Sequence, residues 1–334
     1  MRITYFYQEE FEKEYMSDKL SDHKVSFIFG GISEHRDFSD PDTETLCVFV
    51  NSKIGATEMD RFPNLKYIAT RSTGFDHINL EEAKKRNIIV SNVPSYGENT
   101  VAEQAFALIL SLSRKIYQSY NRIVEKGEFS QSGLRGFDLK GKTMGIIGTG
   151  RIGKHVAKIA RGFEMKVLLC DIYPDQEFAD DHACMYVGQK ELLSQSDIVS
   201  IHVPYMPETH HMINMNNIED FKRGSFLINT ARGSLVETKA LIYGLEMDIL
   251  AGAGLDVLEE EEFMNEHFEL MMMKHPNPQS LSNILGNQYL IDHPNVIVTP
   301  HNAFNTKEAL ERILLATTQN IEGFRLNSPI NVVS

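Results

Sequence analysis

The residues Thr143-Met144-Gly145-Ile146-Ile147 run directly into Gly148-Thr149-Gly150-Arg151-Ile152-Gly153, and a helical stretch from Ile152 to Arg161 follows. A strand, a glycine turn and a helix in that order form half of a βαβ unit, which requires a parallel sheet around it. Each glycine has its own reason to be there. Gly148 permits the tight turn, Gly150 lets the backbone approach a bound pyrophosphate, and Gly153 lets the helix pack against the strand. Phosphates placed there meet the free N–H groups and the positive end of the helix dipole at Arg151 and Ile152. About 20 residues further on, the strand Lys166–Cys170 ends in Asp171, the position from which a carboxylate accepts ribose hydroxyls. It would repel a 2′-phosphate, and Ile172-Tyr173-Pro174 offers no basic residue to receive one. The expected ligand is therefore NAD and not NADP.

The rest of the chain repeats the alternation this unit demands. Strands are expected at Arg2–Tyr7, Lys24–Phe29, Leu46–Val50, Tyr67–Thr70 and Ile88–Ser91, with helices between them such as Asn79–Arg86. After the loop signal Val93-Pro94-Ser95-Tyr96-Gly97, one long helix is expected from about Val101 to Lys126. Val101, Ala105, Phe106, Ile109, Leu110 and Ile116 crowd most of its circumference, so it should be buried on several sides, in a domain or subunit contact. A second series adds strands at Ile198–His202, Ser225–Asn229, Ile249–Leu255 and Val296–Thr299. A one-faced helix closes the chain at about Lys307–Arg325 and is expected to pack back on the first domain. Between Glu259 and Asp292 lies an irregular stretch with an acidic run, the triplet Met271-Met272-Met273 and a Pro276–Pro278 turn. It reads as a surface helix with a polar loop.

At 334 residues the chain is too long for one average core and fits two domains. A formal net charge of −13 argues against a nucleic-acid partner, because phosphate binding needs a basic face. The first residues turn acidic at once and read as a strand, not a signal peptide, and no apolar run approaches bilayer length. Cys47, Cys170 and Cys184 are odd in number and lack metal spacing, which fits reduced thiols in a cytoplasmic protein. His210 and His211 are adjacent and cannot share a helical face as metal ligands do, so no metal is expected.

Three further motifs follow strands of the second series: Asn229-Thr230-Ala231-Arg232-Gly233, Gly254-Leu255-Asp256-Val257-Leu258 continuing to Glu261, and Thr299-Pro300-His301-Asn302-Ala303-Phe304. Strand carboxyl ends are where open parallel sheets bind ligands. With Arg71-Ser72-Thr73-Gly74-Phe75-Asp76, Val93-Pro94-Ser95-Tyr96, Val101-Ala102-Glu103-Gln104 and His202-Val203-Pro204, the chain resembles the NAD-dependent D-isomer-specific 2-hydroxyacid dehydrogenase family over nearly its full length. Within that family it looks most like the D-lactate dehydrogenase branch, through Ala303-Phe304 and the compact C-terminus.

The resemblance implies an α/β fold of two domains. A Rossmann dinucleotide-binding domain (100–303) is inserted into a flavodoxin-like α/β substrate domain (1–99 and 304–334). It implies reversible reduction of pyruvate to D-lactate with NADH. Arg232 would clamp the substrate carboxylate, because a guanidinium offers planar bidentate geometry. His301 would donate and accept the proton, and Glu261 would hold the imidazole. Spacing alone does not select Glu261 from the run Glu259-Glu260-Glu261-Glu262; the family's acid lies five residues after the aspartate matching Asp256. Val203, Pro204, Thr209, Thr230, Ala231 and Arg232 would line the dinucleotide, and Asp256 would reach the nicotinamide amide. The backbone of Thr73, Gly74 and Phe75 would complete the carboxylate site, with Tyr96 and Phe304 bounding a small side-chain pocket. A homodimer paired through the long apolar helix is also implied. Competing expectations are a reductase of glyoxylate, hydroxypyruvate or a branched 2-oxo acid, and an NADH-sensing corepressor on the same fold.

Overall fold

The computed structural model describes residues 1–261 and 278–334. The chain divides into two compact units, Met1–Tyr96 with Asn305–Ser334, and Gly97–Phe304.

The first unit opens with β1 (Arg2–Tyr7), α1 (Glu10–Lys19), β2 (Lys24–Phe29), β3 (Thr45–Val48), α2 (Ala56–Asp60), β4 (Tyr67–Thr70), α3 (Leu80–Lys85) and β5 (Ile89–Ser91). The strands form one parallel sheet in the order β2-β1-β3-β4-β5. That is a doubly wound order of flavodoxin type. Ile3, Tyr5, Cys47, Tyr67 and Ala69 face one layer of core, and Phe6, Leu46, Val48, Ile68 and Val90 face the other. Such period-two division of a sheet buried on both faces explains the nearly continuous apolar strands. At the end of β4 the buried Arg71 donates from Nη1 to Glu12 Oε2 at 2.9 Å and from Nη2 to Phe6 O at 2.8 Å. Its guanidinium lies over the rings of Tyr5 and Phe49. A buried charge paired in this way fixes the strand that leads into Ser72–Phe75.

The second unit begins with α4 (Glu98–Ser113) and α5 (Ile116–Lys126). These replace the single helix expected over Val101–Lys126. The Ser113 carbonyl accepts Phe137 N at 2.9 Å, and Lys115 adopts a left-handed φ of 51°, so the helical ladder stops there. Burial splits with it. Val101, Ala105, Phe106 and Ile109 of α4 are in the core, whereas no residue of α5 is buried and Ile116 is exposed. The unit continues with β6 (Thr143–Ile147), α6 (Arg151–Gly162), β7 (Lys166–Cys170), α7 (Gln176–Asp181), β8 (Cys184–Tyr186), α8 (Gln189–Gln195), β9 (Ile198–Ile201), β10 (Ser225–Asn229), α9 (Thr238–Glu246), β11 (Leu250–Leu255), α10 (Pro278–Asp292) and β12 (Val296–Val298). All its strand pairs are parallel, in the order β12-β11-β10-β9-β6-β7-β8. The order reverses between β6 and β9, which is the ligand-binding crevice of a Rossmann sheet.

Sequence periodicity missed β8, because Cys184-Met185-Tyr186 is too short to show alternation. It also undercounted α10, whose Ile284, Asn287 and Leu290 are buried beside the exposed Leu285 and Ile291. The triplet Met271–Met273 and the Pro276 end of the expected turn lie outside the described residues. The last helix, α11 (Lys307–Arg325), returns to the first unit, capped by Thr306 Oγ1, which accepts Ala309 N at 3.2 Å. Its Leu314 and Ile321 join the core beside Ile3 and Tyr67, and Phe324 stacks on Tyr67 at 4.4 Å. The three cysteines are free, and burial pushes the Cys47 thiol up to about 12.

Candidate active site

The glycine turn has the shape its sequence requires. Gly148 takes φ 92°, and a Cβ there would lie 2.7 Å from the backbone of His202. A Cβ on Gly153 would lie 2.0 Å from Gly148 O, so helix and turn touch only because both side chains are absent. Gly150 caps α6 with nothing within 4 Å of its missing Cβ. No side chain caps α6, and its first turn carries no acid. Both features fit an incoming pyrophosphate. Arg151 is exposed and lies 3.6 Å from Glu98, Ile152 is half-buried, and Gly153 is buried.

Asp171, just beyond β7, accepts Tyr173 N at 2.8 Å on Oδ1, and Thr149 N at 2.5 Å and Thr149 Oγ1 at 3.0 Å on Oδ2. Burial works against its charge, but these hydrogen bonds prevail and hold the carboxyl below its ordinary range. Beside the turn, Val203 is half-buried and Pro204 exposed. Thr209 accepts Met206 N at 2.8 Å and donates to Pro204 O at 2.9 Å, fixing that loop. Desolvation pushes His202 down to about 3, so it stays neutral and does not compete as a proton carrier. At the end of β10, the buried Thr230 hydroxyl has no partner among the described residues, which fits a polar ligand laid along these strand ends.

β10, β11 and β12 are neighbours, so their carboxyl ends bring three motifs together. Arg232 is half-exposed just after β10, with Nη1 donating to Ala231 O at 2.8 Å. The buried Asn229 folds the turn that presents it, accepting Ala231 N at 3.0 Å and donating to Arg232 O at 2.8 Å. After β12, His301 Nδ1 stands 2.5 Å from Glu261 Oε1. The other two described acids of the run are engaged elsewhere. Glu259 accepts from His211 Nε2 at 2.6 Å and from Thr238, and Glu260 from Ser280 at 3.1 Å. An ionised carboxylate only accepts, so Nδ1 carries a hydrogen toward Glu261 and Nε2 is left for proton exchange.

Asp256, expected near the nicotinamide amide, is wholly buried at the end of β11. Its Oδ1 accepts Asn302 N at 2.9 Å and Oδ2 accepts Ala303 N at 2.8 Å, and Thr299 Oγ1 also donates to it. Burial raises its pKa, opposed by those donors. Asp256 thus staples the loop on which His301 sits, and Asp256 O accepts His301 N at 2.7 Å. Inside this staple His301 takes a left-handed φ of 50°, a region that disfavours side chains with a Cβ by about 1 kcal/mol. His301→Gly is therefore expected to melt about 2–4 °C above His301→Ala. Calorimetry of the two variants checks this; equal melting temperatures would show an unstrained backbone at 301.

In the first unit, Ser72 Oγ donates to Gly74 O at 2.6 Å, Thr73 Oγ1 to Val93 O at 2.8 Å, and Asn92 Nδ2 to Thr73 O at 2.7 Å. The Thr73-Gly74-Phe75 loop is thereby braced at the carboxyl end of β4, with Thr73 exposed and Phe75 half-exposed. The half-buried Tyr96 accepts Arg312 Nε on its carbonyl at 2.5 Å, and Phe304 closes the second unit half-exposed. Sequence reasoning missed Thr149, Tyr186, Asn229 and the His211–Glu259 pair. Of these only Asn229 left a signal, as an asparagine ending a strand before a turn. His210 stacks on His211 with ring centroids 3.8 Å apart, and among the described residues no cluster of three or more His, Cys, Asp or Glu gathers as for a metal.

Residues 106–303 match the family model described as D-isomer specific 2-hydroxyacid dehydrogenase, NAD binding domain. The chain is 37% identical over 335 residues to 2-hydroxyacid dehydrogenase A of Aspergillus oryzae, covering 98% of this chain and 93% of that protein. It is 36% identical over 301 residues to a glyoxylate reductase of Thermococcus litoralis, covering 88% and 84%. A crystal structure of D-lactate dehydrogenase from Aquifex aeolicus complexed with NAD and lactic acid superposes with a TM-score of 0.86 at 34% identity, covering 99% of this chain and all of that one. The glycine turn with its acid, the paired imidazole and the strand-end guanidinium thus stand in a chain that belongs to the D-isomer-specific 2-hydroxyacid dehydrogenases, NAD-dependent oxidoreductases.

Proposed function

We propose that this member of the family is a D-lactate dehydrogenase that reversibly reduces pyruvate with NADH. The observation that carries a dehydrogenase chemistry is the 2.5 Å His301–Glu261 contact at the β12 end, two strands from Arg232 at the β10 end. Bound NADH supplies the hydride equivalent. Arg232 holds the substrate carboxylate through its planar fork and orients the 2-oxo group. His301 gives a proton from Nε2 to the 2-oxygen in reduction and takes it back in oxidation. Glu261 keeps the imidazole oriented and balances its positive charge. Gly148, Gly150, Arg151, Ile152 and Gly153 receive the pyrophosphate, Asp171 the adenosine ribose, and Val203, Pro204, Thr230 and Ala231 the stretch between.

The lactate reading is supported by the fold's likeness to an enzyme seen with NAD and lactic acid. Glyoxylate reduction is the second reading, favoured by 36% identity to a glyoxylate reductase. NADH oxidation measured with pyruvate, glyoxylate, hydroxypyruvate and a branched 2-oxo acid decides between them. The highest kcat/KM is expected for pyruvate, with D-lactate as product. A higher value for glyoxylate would overturn the lactate reading, and no turnover with any of them would favour a sensing protein.

We also propose a cytoplasmic homodimer paired through α5. Ile116, Tyr117, Tyr120, Ile123 and Val124 are each at least half exposed and lie on one side of the helix at i, i+1, i+4, i+7 and i+8 spacing. Sedimentation at micromolar concentration should show a dimer, and Tyr120→Glu with Ile123→Glu a monomer. An unmodified protein that sediments as a monomer would sink the idea. Among the described residues no helix is long and apolar enough to cross a membrane.

A further inference from the structure

The edge strand β8 ends in Tyr186, and its phenol joins the glycine turn to the loop after β7. Tyr186 Oη lies 2.8 Å from Thr149 Oγ1 and accepts Asp175 N at 3.0 Å. Thr149 Oγ1 lies 3.0 Å from Asp171 Oδ2. The two ends of this chain of hydrogen bonds fix its direction, because a backbone N–H only donates and an ionised carboxylate only accepts. Tyr186 therefore receives from Asp175 and passes its own hydrogen to Thr149, and Thr149 passes its hydrogen to Asp171. Each hydroxyl polarises the next in the same sense. The far end is anchored as well. The Asp175 carboxylate accepts Phe178 N at 3.0 Å as the cap of α7 and pairs with Lys154 of α6. The relay thus ties both flanking helices to the acid.

The relay works together with the acid's other hydrogen bonds. A carboxylate has about four acceptor sites. Thr149 N and Thr149 Oγ1 take two on Oδ2, and Tyr173 N takes one on Oδ1. The Ile172 backbone N–H donates to the carboxylate as well, so the acid's orientation is set before a ribose arrives.

We propose that Tyr186 is a positioning residue for the adenosine ribose: acting through Thr149, it fixes the Asp171 carboxylate in the orientation that meets the 2′-hydroxyl. The inference rests on the reading that Asp171 receives that ribose.

Equilibrium titration calorimetry with ADP-ribose and with 2′-deoxy-ADP-ribose tests it without any turnover. Tyr186→Phe keeps the ring and removes only the hydroxyl, and Thr149→Val cuts the relay one link on. Each is expected to weaken ADP-ribose binding roughly three- to tenfold, the span of one hydrogen bond. The double variant should lose no more than either single one, and neither should change the affinity for the 2′-deoxy ligand. Equal losses with both ligands, or additive losses in the double variant, would show mere packing and overturn the proposal. Asp171→Ala separates the two layers of the argument. ADP-ribose bound as tightly as by the unmodified protein would sink the ribose placement itself. A loss there with none in Tyr186→Phe would sink the relay alone.

Discussion

His301→Ala is expected to lower kcat for 2-oxo acid reduction by roughly 10²–10⁴-fold, the share of a barrier that a positioned proton donor removes. KM should move far less, since the imidazole acts on the reacting oxygen and the carboxylate is held elsewhere. Steady-state kinetics with NADH and pyruvate measures both. A variant that keeps full kcat would mean that another group carries the proton. Glu261→Gln serves as the companion measurement. Glutamine can still accept from Nδ1 but brings no charge, so a smaller loss of about 10–10²-fold in kcat is expected. Because Glu259 and Glu260 are engaged with His211, Thr238 and Ser280, neither stands ready to replace it.

Arg232→Lys should lower kcat/KM by about 10²-fold, mostly through KM. An ammonium is a point charge on a flexible stem and cannot form two parallel bonds to a carboxylate. The backbone turn built by Asn229 does not depend on the side chain at 232, so the variant should fold unchanged. Titration with NADH alone provides the contrast. A variant with normal KM for pyruvate but weakened NADH binding would place Arg232 on the cofactor instead.

The parts of this molecule that were legible in its sequence are those where one residue type is forced by geometry. Gly148 and Gly153 could be assigned because a Cβ at either position would overlap backbone. The strand-end positions of Arg232 and His301 followed from apolar runs that stop just before them. Legibility failed where tertiary contacts decide. The break between α4 and α5 depends on Phe137 N reaching back to the Ser113 carbonyl, across residues that carry no periodic signal. The loop-holding hydrogen bonds of Asp256 left no trace in the sequence because its three donors lie more than forty residues downstream. Glu261 could be chosen from its run only by resemblance, since four consecutive glutamates differ in nothing but where the fold sends them.

The first unit is closed by residues that come more than two hundred positions after the rest of it. Its sheet is complete only when Asn331 O accepts Asn92 N, Val332 bridges Ser91, and Leu314, Ile321 and Phe324 cover Ile3 and Tyr67. A ribosome makes the chain in one direction, so the inserted unit is synthesised in full while that face of the first sheet still lacks part of its cover. During this interval Ile3, Tyr5, Tyr67 and Ala69 are covered in part by Met16 and Leu20, near and just beyond the end of α1, and the area that Leu314, Ile321 and Phe324 later cover is open to chaperones or to the same surface on a neighbouring nascent chain. Completion of the first unit's core is therefore timed by the arrival of α11 and not by the emergence of the strands it covers.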